Sequence, residues 1–255
     1  MSHHRIEARQ VSYTYPDGHA ALHDASFLIT HGESVGIIGA NGAGKSTLFM
    51  LLLGVLFPQT GHVLVGDVKL SQATLPGIRP HMGMVFQQSD DQLFMPTVFE
   101  DVAFGPRNSG LSETEIRGRV TGALEQVGLA GFETRAPFRL SGGEKRAAAI
   151  ASVLSMQPDI LILDEPTSDL DPKARRRMMG ILQGFTHTKL VASHDLDLVM
   201  DICSRVIVLS AGRVVADGAG MDVLRDKALF ESAGLELPLS LQRCGDCRYT
   251  FSGAD

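Results

Sequence analysis

Eight residues near the start of the chain have the types and spacing of a phosphate-binding loop. They read Gly39-Ala40-Asn41-Gly42-Ala43-Gly44-Lys45-Ser46 and fit the pattern Gly-x-x-x-x-Gly-Lys-Ser/Thr. Glycines let backbone amides approach phosphate oxygens, and the N-terminus of the following helix adds partial positive charge. The pattern predicts that Lys45 holds the terminal phosphates, that the Ser46 hydroxyl binds Mg²⁺, and that Thr47 lies beside them.

Two adjacent carboxylates supply the chemistry that such a loop lacks. Asp164 and Glu165 follow four apolar residues, 160–163, which are typical of a buried strand. Because parallel sheets bind ligands at the carboxyl ends of their strands, we expect Asp164 to bind Mg²⁺ through a water molecule or through Ser46. Glu165 is expected to orient or deprotonate the attacking water. Solvated acids at a strand end are the alternative, which the loop upstream disfavours.

Strands that alternate with helices must position these groups. The strand 34–38 leads into the phosphate-binding loop and an apolar helix follows it, which disfavours the alternative of a glycine-rich turn without a ligand. Because no Asn-Lys-x-Asp guanine-recognition sequence occurs, the nucleotide is expected to be ATP. Further strands are predicted at 6–11, 26–30, 62–65, 82–86, 160–163, 189–192 and 205–209, with helices behind Ser112 and at 141–156, 172–182 and 195–202.

A second candidate anion site opens the helix at 141–156. Leu140 and Ser141-Gly142-Gly143-Glu144 place a hydroxyl and glycine amides at a helix N-terminus. Ser141 with Glu144 is also an ordinary capping box, which is the alternative. With the other motifs in this order, the segment resembles the Leu-Ser-Gly-Gly-Gln signature of ABC-type ATPases. The resemblance implies two subunits that enclose two ATP molecules, each held by one subunit's loop and the other's signature.

Four further sites match motifs of that family and take their expected roles from it. Tyr15 matches the aromatic residue that stacks on adenine, and Gln87 matches the glutamine that contacts Mg²⁺. His194 matches the histidine that contacts the γ-phosphate. The loop that crosses the dimer seam is matched by Ser168-Asp169-Leu170-Asp171.

Two residues depart from the family pattern. Glu144 stands where most members have Gln, and Asp169 stands where the seam loop usually has a small residue. Each adds negative charge near the partner's phosphates, which puts the usual dimer energetics in doubt.

The resemblance also implies the fold class and the division of the chain. We expect an α/β protein with a P-loop NTPase (RecA-like) core, a mostly parallel sheet, an N-terminal antiparallel β subdomain and an inserted α-helical subdomain. Residues 1–88 and 158–220 would form the core with its β subdomain. Residues 89–157 would form the helical signature subdomain, and residues 221–255 a helical tail.

A more specific resemblance concerns the segments 86–94, 97–111 and 233–238, which are similar to the ATPases of energy-coupling factor (ECF) importers. The tail resembles the cobalt and nickel branch, which implies a homodimer that serves a membrane coupling subunit and a substrate-binding membrane subunit. Phe94, Met95, Val98 and Phe99 are expected in an exposed loop that receives a partner's helix. Packing inside the helical subdomain is the alternative for each of them.

Composition narrows the class of protein. The chain has 255 residues, with 23 Lys and Arg against 29 Asp and Glu, giving a net charge of −6 that disfavours a nucleic-acid partner. We find no secretory signal and no apolar run long enough for a membrane span, and three cysteines fit a reducing compartment. A peripheral location at the cytoplasmic face of the cell (inner) membrane follows from the implied partners.

Several alternatives stay open. The chain could serve a vitamin ECF importer or another ABC importer, because the substrate contacts other subunits. A soluble iron–sulfur assembly ATPase is a further candidate, whereas a DNA-repair ATPase is disfavoured by the absence of a long coiled coil between Lys45 and Ser141. The dimer could pair with a paralogue. Cys244 and Cys247 could bind a metal across a dimer, although a loose tail with two free thiols is the preferred interpretation.

Overall fold

The computed structural model describes residues 5–242, whose strands form two sheets. The smaller sheet is antiparallel, in the order β2-β1-β4-β5. Its strands are β1 Ile6–Thr14, β2 Ala20–Ile29, β4 Thr60–Val65 and β5 Val68–Lys69. The larger sheet has the order β10-β9-β3-β8-β7-β6. Its strands are β3 Ser34–Ile38, β6 Met82–Val85, β7 Ile160–Asp164, β8 Thr188–Ala192, β9 Arg205–Ser210 and β10 Arg213–Ala219.

The larger sheet is parallel except for β10, which forms an antiparallel hairpin with β9. β7 is apolar until its last residue and is buried along its whole length, as expected for a strand covered on both faces. In the register between β7 and β8, Asp164 lies opposite Ala192. The carboxyl ends of β3, β7 and β8 therefore meet at one edge of the sheet.

Nine helices occur within the described residues, and three of them form an insertion between β6 and β7. These three, α3 Val98–Asn108, α4 Glu113–Gln126 and α5 Gly142–Leu154, pack on one another. Both α4 and α5 begin with a capping box, at Ser112 and Ser141. The other helices are α1 Lys45–Leu52, α2 Leu75–Ile78, α6 Pro172–Gly184, α7 Leu196–Ile202, α8 Gly220–Leu224 and α9 Lys227–Ser232.

Two apolar clusters cover the two faces of the larger sheet. Alternate residues of β7 belong to different clusters, because successive side chains of a strand point to opposite faces. Leu161 and Leu163 pack with the helical insertion, whereas Ile160 and Ile162 pack with α1 and the smaller sheet. The larger sheet thus lies between the helical insertion on one face and α1 with the smaller sheet on the other.

The sequence predicted most of these elements but missed the short β5 and α2. β2 begins at Ala20 rather than at residue 26, because bulges against β1, with Asp24 at a φ of 51°, interrupt the alternation of apolar residues. Val98 and Phe99 lie in the first turn of α3 rather than in an exposed loop: Val98 is fully buried, and Phe99 is partly buried against the core.

Within residues 5–242, no helix combines the length and apolar character required to cross a bilayer. Cys244 and Cys247, for which a metal site was considered, lie outside the described residues.

Candidate active site

Glycines shape the loop between β3 and α1 for close backbone approach. Gly42 and Gly44 have φ angles of 77° and 104°, which glycine adopts readily. A Cβ atom at Gly39 would lie 2.4 Å from the Leu209 carbonyl oxygen, and one at Gly44 would lie 2.6 Å from the Ala21 carbonyl oxygen. Other residues at these two positions would push the loop away from its neighbours.

Lys45 closes the loop from inside. Its ammonium group donates hydrogen bonds to the carbonyl oxygens of Gly39 at 2.7 Å and Ala40 at 3.2 Å. Burial lowers the pKa of Lys45, and the carboxylates of Glu165 and Asp164 oppose that shift. A buried cation at the start of α1 is suited to an anionic ligand, which would bring it a stronger partner than backbone carbonyls.

Ser46 and Asp164 form the second feature of the site. The Ser46 hydroxyl donates to the Asp164 carboxylate at 3.1 Å, across the gap between α1 and the end of β7. Burial raises the pKa of Asp164, against the effects of the Ser46 hydrogen bond and the Lys45 charge. With Gln87 facing the same space, the donors are all oxygen atoms, a set that fits a hard divalent cation such as Mg²⁺.

Glu165 is held in an unusual conformation directly after β7. Its φ angle is 49°, a left-handed value that costs energy for a residue with a side chain. Carboxylate oxygen Oε2 accepts hydrogen bonds from the Ser193 hydroxyl and the His194 backbone amide, both at 3.1 Å. Oxygen Oε1 is buried, lies 3.5 Å from His194 Nε2, and receives no hydrogen bond from the described residues. This acceptor is available to a water molecule or hydroxyl group in the site.

A cavity of about 370 Å³, called here the central cavity, brings these groups together. The amides of the loop lie on one side of it, and the ends of β7 and β8 lie on the other. Its predicted lining residues are Asn41, Gly42, Ala43, Gly44, Lys45, Ser46, Thr47, Gln87, Asp164, Glu165 and His194.

Tyr15 lies just behind this cavity. Its hydroxyl is 3.0 Å from the Thr47 hydroxyl, which fixes the tyrosine ring beside the start of α1. The His19 ring lies over it, with ring centroids 6.4 Å apart and planes 20° from parallel, and His19 itself lines the central cavity. His19 is thus the aromatic side chain that lines the end of the cavity next to Thr47, and the Tyr15 ring lies behind it.

The signature segment, residues 141–144, is not part of the central cavity. The Glu144 carboxylate accepts hydrogen bonds from the Ser141 amide at 2.7 Å and the Ser141 hydroxyl at 2.8 Å, and these bonds lower the pKa of Glu144. Ser141 and Gly142 are exposed. Within one chain, the second anion site therefore faces outward and is capped by its own glutamate.

The seam loop, residues 168–171, leads into α6. Asp171 is the N-cap of that helix and accepts hydrogen bonds from the amides of Lys173 and Ala174, which lower its pKa. Asp169 has a left-handed φ of 60°. The loop is held to the helical insertion through Ser168.

Arg146 makes that connection and is the main residue that the sequence predictions missed. It is 4% exposed, and its guanidinium donates to the carbonyl oxygens of Phe86, at 2.6 Å, and Gln87, and to the Ser168 hydroxyl at 3.2 Å. The sequence carries no local signal for these contacts, because the partners of Arg146 are 22 or more residues away. Ser193 and His19 were also missed, although each lies within a few residues of a predicted site.

Comparisons with known proteins address the family of this chain. The model of the ABC transporter family matches residues 22–168. A protein of Geobacter sulfurreducens with the provisional name ABC transporter ATP-binding protein is 57% identical over 97% of this chain and 99% of its own length. The energy-coupling factor transporter ATP-binding protein EcfA of Methanothermobacter thermautotrophicus is 47% identical over 91% of this chain and 76% of its own length.

Two solved structures are similar over most of the chain. CbiO1 from Clostridium perfringens, part of the ABC transporter complex CbiONQ, superposes with a TM-score of 0.79 at 38% identity, over 91% of this chain and 95% of that one. The ATP-binding cassette MJ0796, a dimer bound to ADP and Pi, superposes with a TM-score of 0.75 at 30% identity, over 84% and 98%. This chain belongs to the ABC transporter family and is an ATP-hydrolysing subunit of the energy-coupling factor type.

Proposed function

We propose that this chain is the ATPase of an ECF-type importer of a transition-metal ion, with cobalt ahead of nickel, and that it works as a homodimer. One observation carries the catalytic part of the proposal. The central cavity joins Lys45, the Ser46–Asp164 pair and the unpartnered buried oxygen of Glu165, whereas the signature segment faces away from it. One chain therefore offers a nucleotide cavity and, elsewhere, the surface that would complete another chain's cavity.

Each residue of the cavity has a proposed role in hydrolysis. Lys45 and the loop amides bind the β- and γ-phosphates, and Oε1 of Glu165 accepts the proton of the attacking water. Ser193 and the His194 amide keep that carboxylate in place, and the His194 ring contacts the γ-phosphate. Mg²⁺, when bound by Ser46, Gln87 and Asp164, supplies positive charge that offsets the charge on the phosphate oxygens.

The second copy of the chain supplies the rest of the proposed site. Ser141 and the glycine amides of the signature segment would contact the γ-phosphate in the partner's cavity, with the seam loop between the two sites. ATP binding would close the dimer and hydrolysis would reopen it. The dimeric structure of MJ0796 with ADP and Pi supports this arrangement.

An exposed aromatic pair on the helical insertion supports the proposed membrane partners. The rings of Phe94 and Phe104 are 5.1 Å apart, edge to face, and are 63% and 40% exposed. Asp101, buried below them, accepts hydrogen bonds from the amides of Phe94 and Met95, both at 3.0 Å. This patch follows Gln87 in sequence, so nucleotide state and partner binding would be coupled through a short segment.

The burial of Val98 excludes this residue from the variants that test the patch. An aspartate at Val98 would disrupt the core, so the informative change is Phe94→Asp with Phe104→Asp. We expect this double variant to keep its ATPase activity and to lose co-purification with the membrane subunits. Val55→Asp, at a 62% exposed residue outside the patch, is the matched control. Intact co-purification of the double variant would contradict the proposed docking surface.

The transported substrate is tested on the whole complex. Supporting the metal proposal are the resemblance of the tail to the cobalt and nickel branch and the similarity to CbiO1 of the CbiONQ complex. The chain is purified with its native membrane partners, and the retained ions are measured by elemental analysis. We expect cobalt or nickel. A bound vitamin without metal would favour the vitamin-importer alternative, and the absence of any membrane partner would favour an assembly ATPase.

The proposed location and domain division follow from the same scheme. The chain would lie at the cytoplasmic face of the cell membrane, held there by its partners. Residues 1–88 and 158–220 would bind nucleotide, and residues 89–157 would carry the signature and the docking patch. No nucleic-acid partner is proposed.

A further inference from the structure

Phe138 is the most exposed of the large apolar side chains in residues 5–242, at 77%. It lies in a single turn, Pro137–Arg139, that is fixed on both sides. Pro137 and Leu140 are buried, and the amides of Arg139 and Leu140 donate to carbonyl oxygens three residues earlier, both at 3.0 Å. The turn thus holds an aromatic ring out in solvent, where it gains nothing for the stability of a single chain.

The position of this ring relative to the signature segment suggests what covers it. Phe138 precedes Ser141, the N-cap of α5, by three residues. Three residues of chain span at most about 10 Å, and the phenylalanine side chain extends farther. ATP has a similar extent from its terminal phosphate to its base. A ring in this place can therefore reach the base of a nucleotide whose γ-phosphate contacts Ser141.

The central cavity offers an aromatic surface for one face of that base. Tyr15 is fixed by its hydrogen bond to Thr47, and His19 lies over the tyrosine ring and lines the cavity. A base that stacks on this pair would have its opposite face free for a group from another chain. An aromatic side chain on that face would add a second stacking contact, and stacking does not depend on which base is bound.

We propose that Phe138 of one copy covers the adenine ring of the ATP held in the other copy's central cavity. The base would lie between Phe138 of one subunit and the Tyr15–His19 pair of its partner. The Arg139 guanidinium lies 5.7 Å from the Phe138 ring centroid and so accompanies the ring on the same turn. This inference rests on the proposed dimer, in which the signature segment of one copy contacts the γ-phosphate in the other.

The first test measures ATP-driven dimerisation of the full-length chain in a Glu165→Gln background that slows hydrolysis. Phe138→Ala is expected to raise the ATP concentration for half-maximal dimerisation about 5- to 20-fold, from the loss of one stacking contact. Phe138→Trp is expected to restore it, and Val55→Ala, at another exposed apolar residue, is expected to leave it unchanged. An unchanged ATP requirement in Phe138→Ala would overturn the inference.

The same assay separates this inference from the proposed function. If the Glu165→Gln parent does not dimerise with MgATP, the proposed dimer itself fails. If the parent dimerises and Phe138→Ala matches it, only the role of Phe138 fails. The thermal unfolding midpoints of the Glu165→Gln parent and of its Phe138→Ala variant are expected to agree, because the Phe138 ring is exposed.

The second test asks whether Phe138 acts on the partner's nucleotide. Differently tagged subunits are combined into a heterodimer of Tyr15→Ala with Phe138→Ala. If Phe138 acts across the interface, one site loses both aromatic contacts and the other keeps both, so fluorescent ATP titration shows one tight and one weak site. A heterodimer of wild-type chain with a Tyr15→Ala, Phe138→Ala chain has one contact missing from each site, so both sites are expected to bind with affinities between those of the tight and the weak site. If the two heterodimers exchange these patterns, Phe138 acts within its own chain and the inference is wrong.

Discussion

The two anion-binding segments of this chain are built in opposite ways. The phosphate-binding loop is enclosed: Lys45, Asp164 and Glu165 are buried, and glycines fit the loop against neighbouring backbone. The signature segment is open, with Ser141 exposed and its hydrogen bonds made to its own Glu144. Both use helix N-termini, but only the first is arranged around a cavity.

The difference indicates where each segment obtains its binding energy. Buried, prearranged groups can hold a phosphate without further ordering, because their desolvation has been completed during folding. An exposed helix N-terminus gains strength only when another surface removes it from water. The first segment is thus a binding site in one chain, whereas the second needs a partner. Single substitutions in each segment test this difference.

Glu165→Gln is expected to have the largest effect. The amide keeps the shape of the side chain but cannot take a proton, so ATP turnover should fall by about 10²- to 10⁴-fold. ATP binding should persist, and a stable ATP-bound dimer should accumulate, which size-exclusion chromatography with MgATP detects. Glu231→Gln, an exposed residue on α9, is the control and should match the wild type. Unchanged turnover in Glu165→Gln would remove this residue from its proposed role.

Arg146→Met tests the connection between the two segments. Methionine fills the space but leaves the carbonyl groups of Phe86 and Gln87 without their buried donor, which should lower the free energy of unfolding by about 1–3 kcal/mol. Turnover should fall further than stability explains, because the signature helix would no longer be tied to Gln87 and Ser168. Thermal unfolding and ATPase assays measure the two effects separately.

Lys145→Met is the matched control for that change. Lys145 pairs with Asp90 at 2.6 Å, and Asp90 is mostly exposed, so this surface pair contributes less than about 1 kcal/mol. If both variants behaved alike, the buried position of Arg146 would have no functional consequence.

Glu144→Gln is expected to have the smallest effect and the opposite sign. The hydrogen bonds from Ser141 lower the pKa of Glu144, so a negative charge stays beside the proposed contact with the partner's phosphates at neutral pH. Removing it should strengthen ATP-driven dimerisation by about two- to fivefold, which corresponds to about 0.5–1 kcal/mol. A weaker dimer would mean that the cap matters more than the charge.

The same residue gives a pH dependence with a definite sign. Since the folded pKa lies below the ordinary glutamate value, the stabilisation of the cap is present above that ordinary value and is lost as the pH falls through the lowered pKa. The Glu144→Gln protein should lack this component in acid unfolding titrations. Glu113→Gln serves as the comparison, because Glu113 is exposed and its carboxylate belongs to neither capping box.

How far the sequence predicts the molecule depends on whether the information is local. The strand 34–38 was predicted with its observed bounds, because an apolar run ends at a glycine loop, and the capping boxes at Ser112 and Ser141 follow from side chains three residues apart. Val98 was misplaced although a local signal existed: Thr97 caps α3 by accepting a hydrogen bond from the Glu100 amide at 3.2 Å. Local patterns therefore predict elements well, provided that each capping residue such as Thr97 is considered as a possible helix start.

Contacts between distant segments were not predictable in this way. Nothing in the pattern around Arg146 indicates that it reaches Phe86, Gln87 and Ser168, and nothing near Glu165 indicates that Ser193 will hold its carboxylate. Such contacts depend on the register of β7 with β8 and on how the helical insertion packs, which single-residue spacing does not encode. The roles of the site residues stay predictions until the variants are measured.

The pairing of β7 with β8 has a consequence for motion. The Glu165 amide donates to the Ala192 carbonyl oxygen at 2.8 Å, so the ladder that carries both carboxylates continues to the residue before Ser193 and His194. The amide hydrogens of these strands should exchange with solvent only on global unfolding, whereas those between Gln87 and Thr97 should exchange by local opening. Hydrogen exchange would then distinguish two parts of the molecule. The strands that carry the carboxylates would keep their geometry during the ATP cycle, and the segment 87–97 would act as a hinge toward the proposed partners.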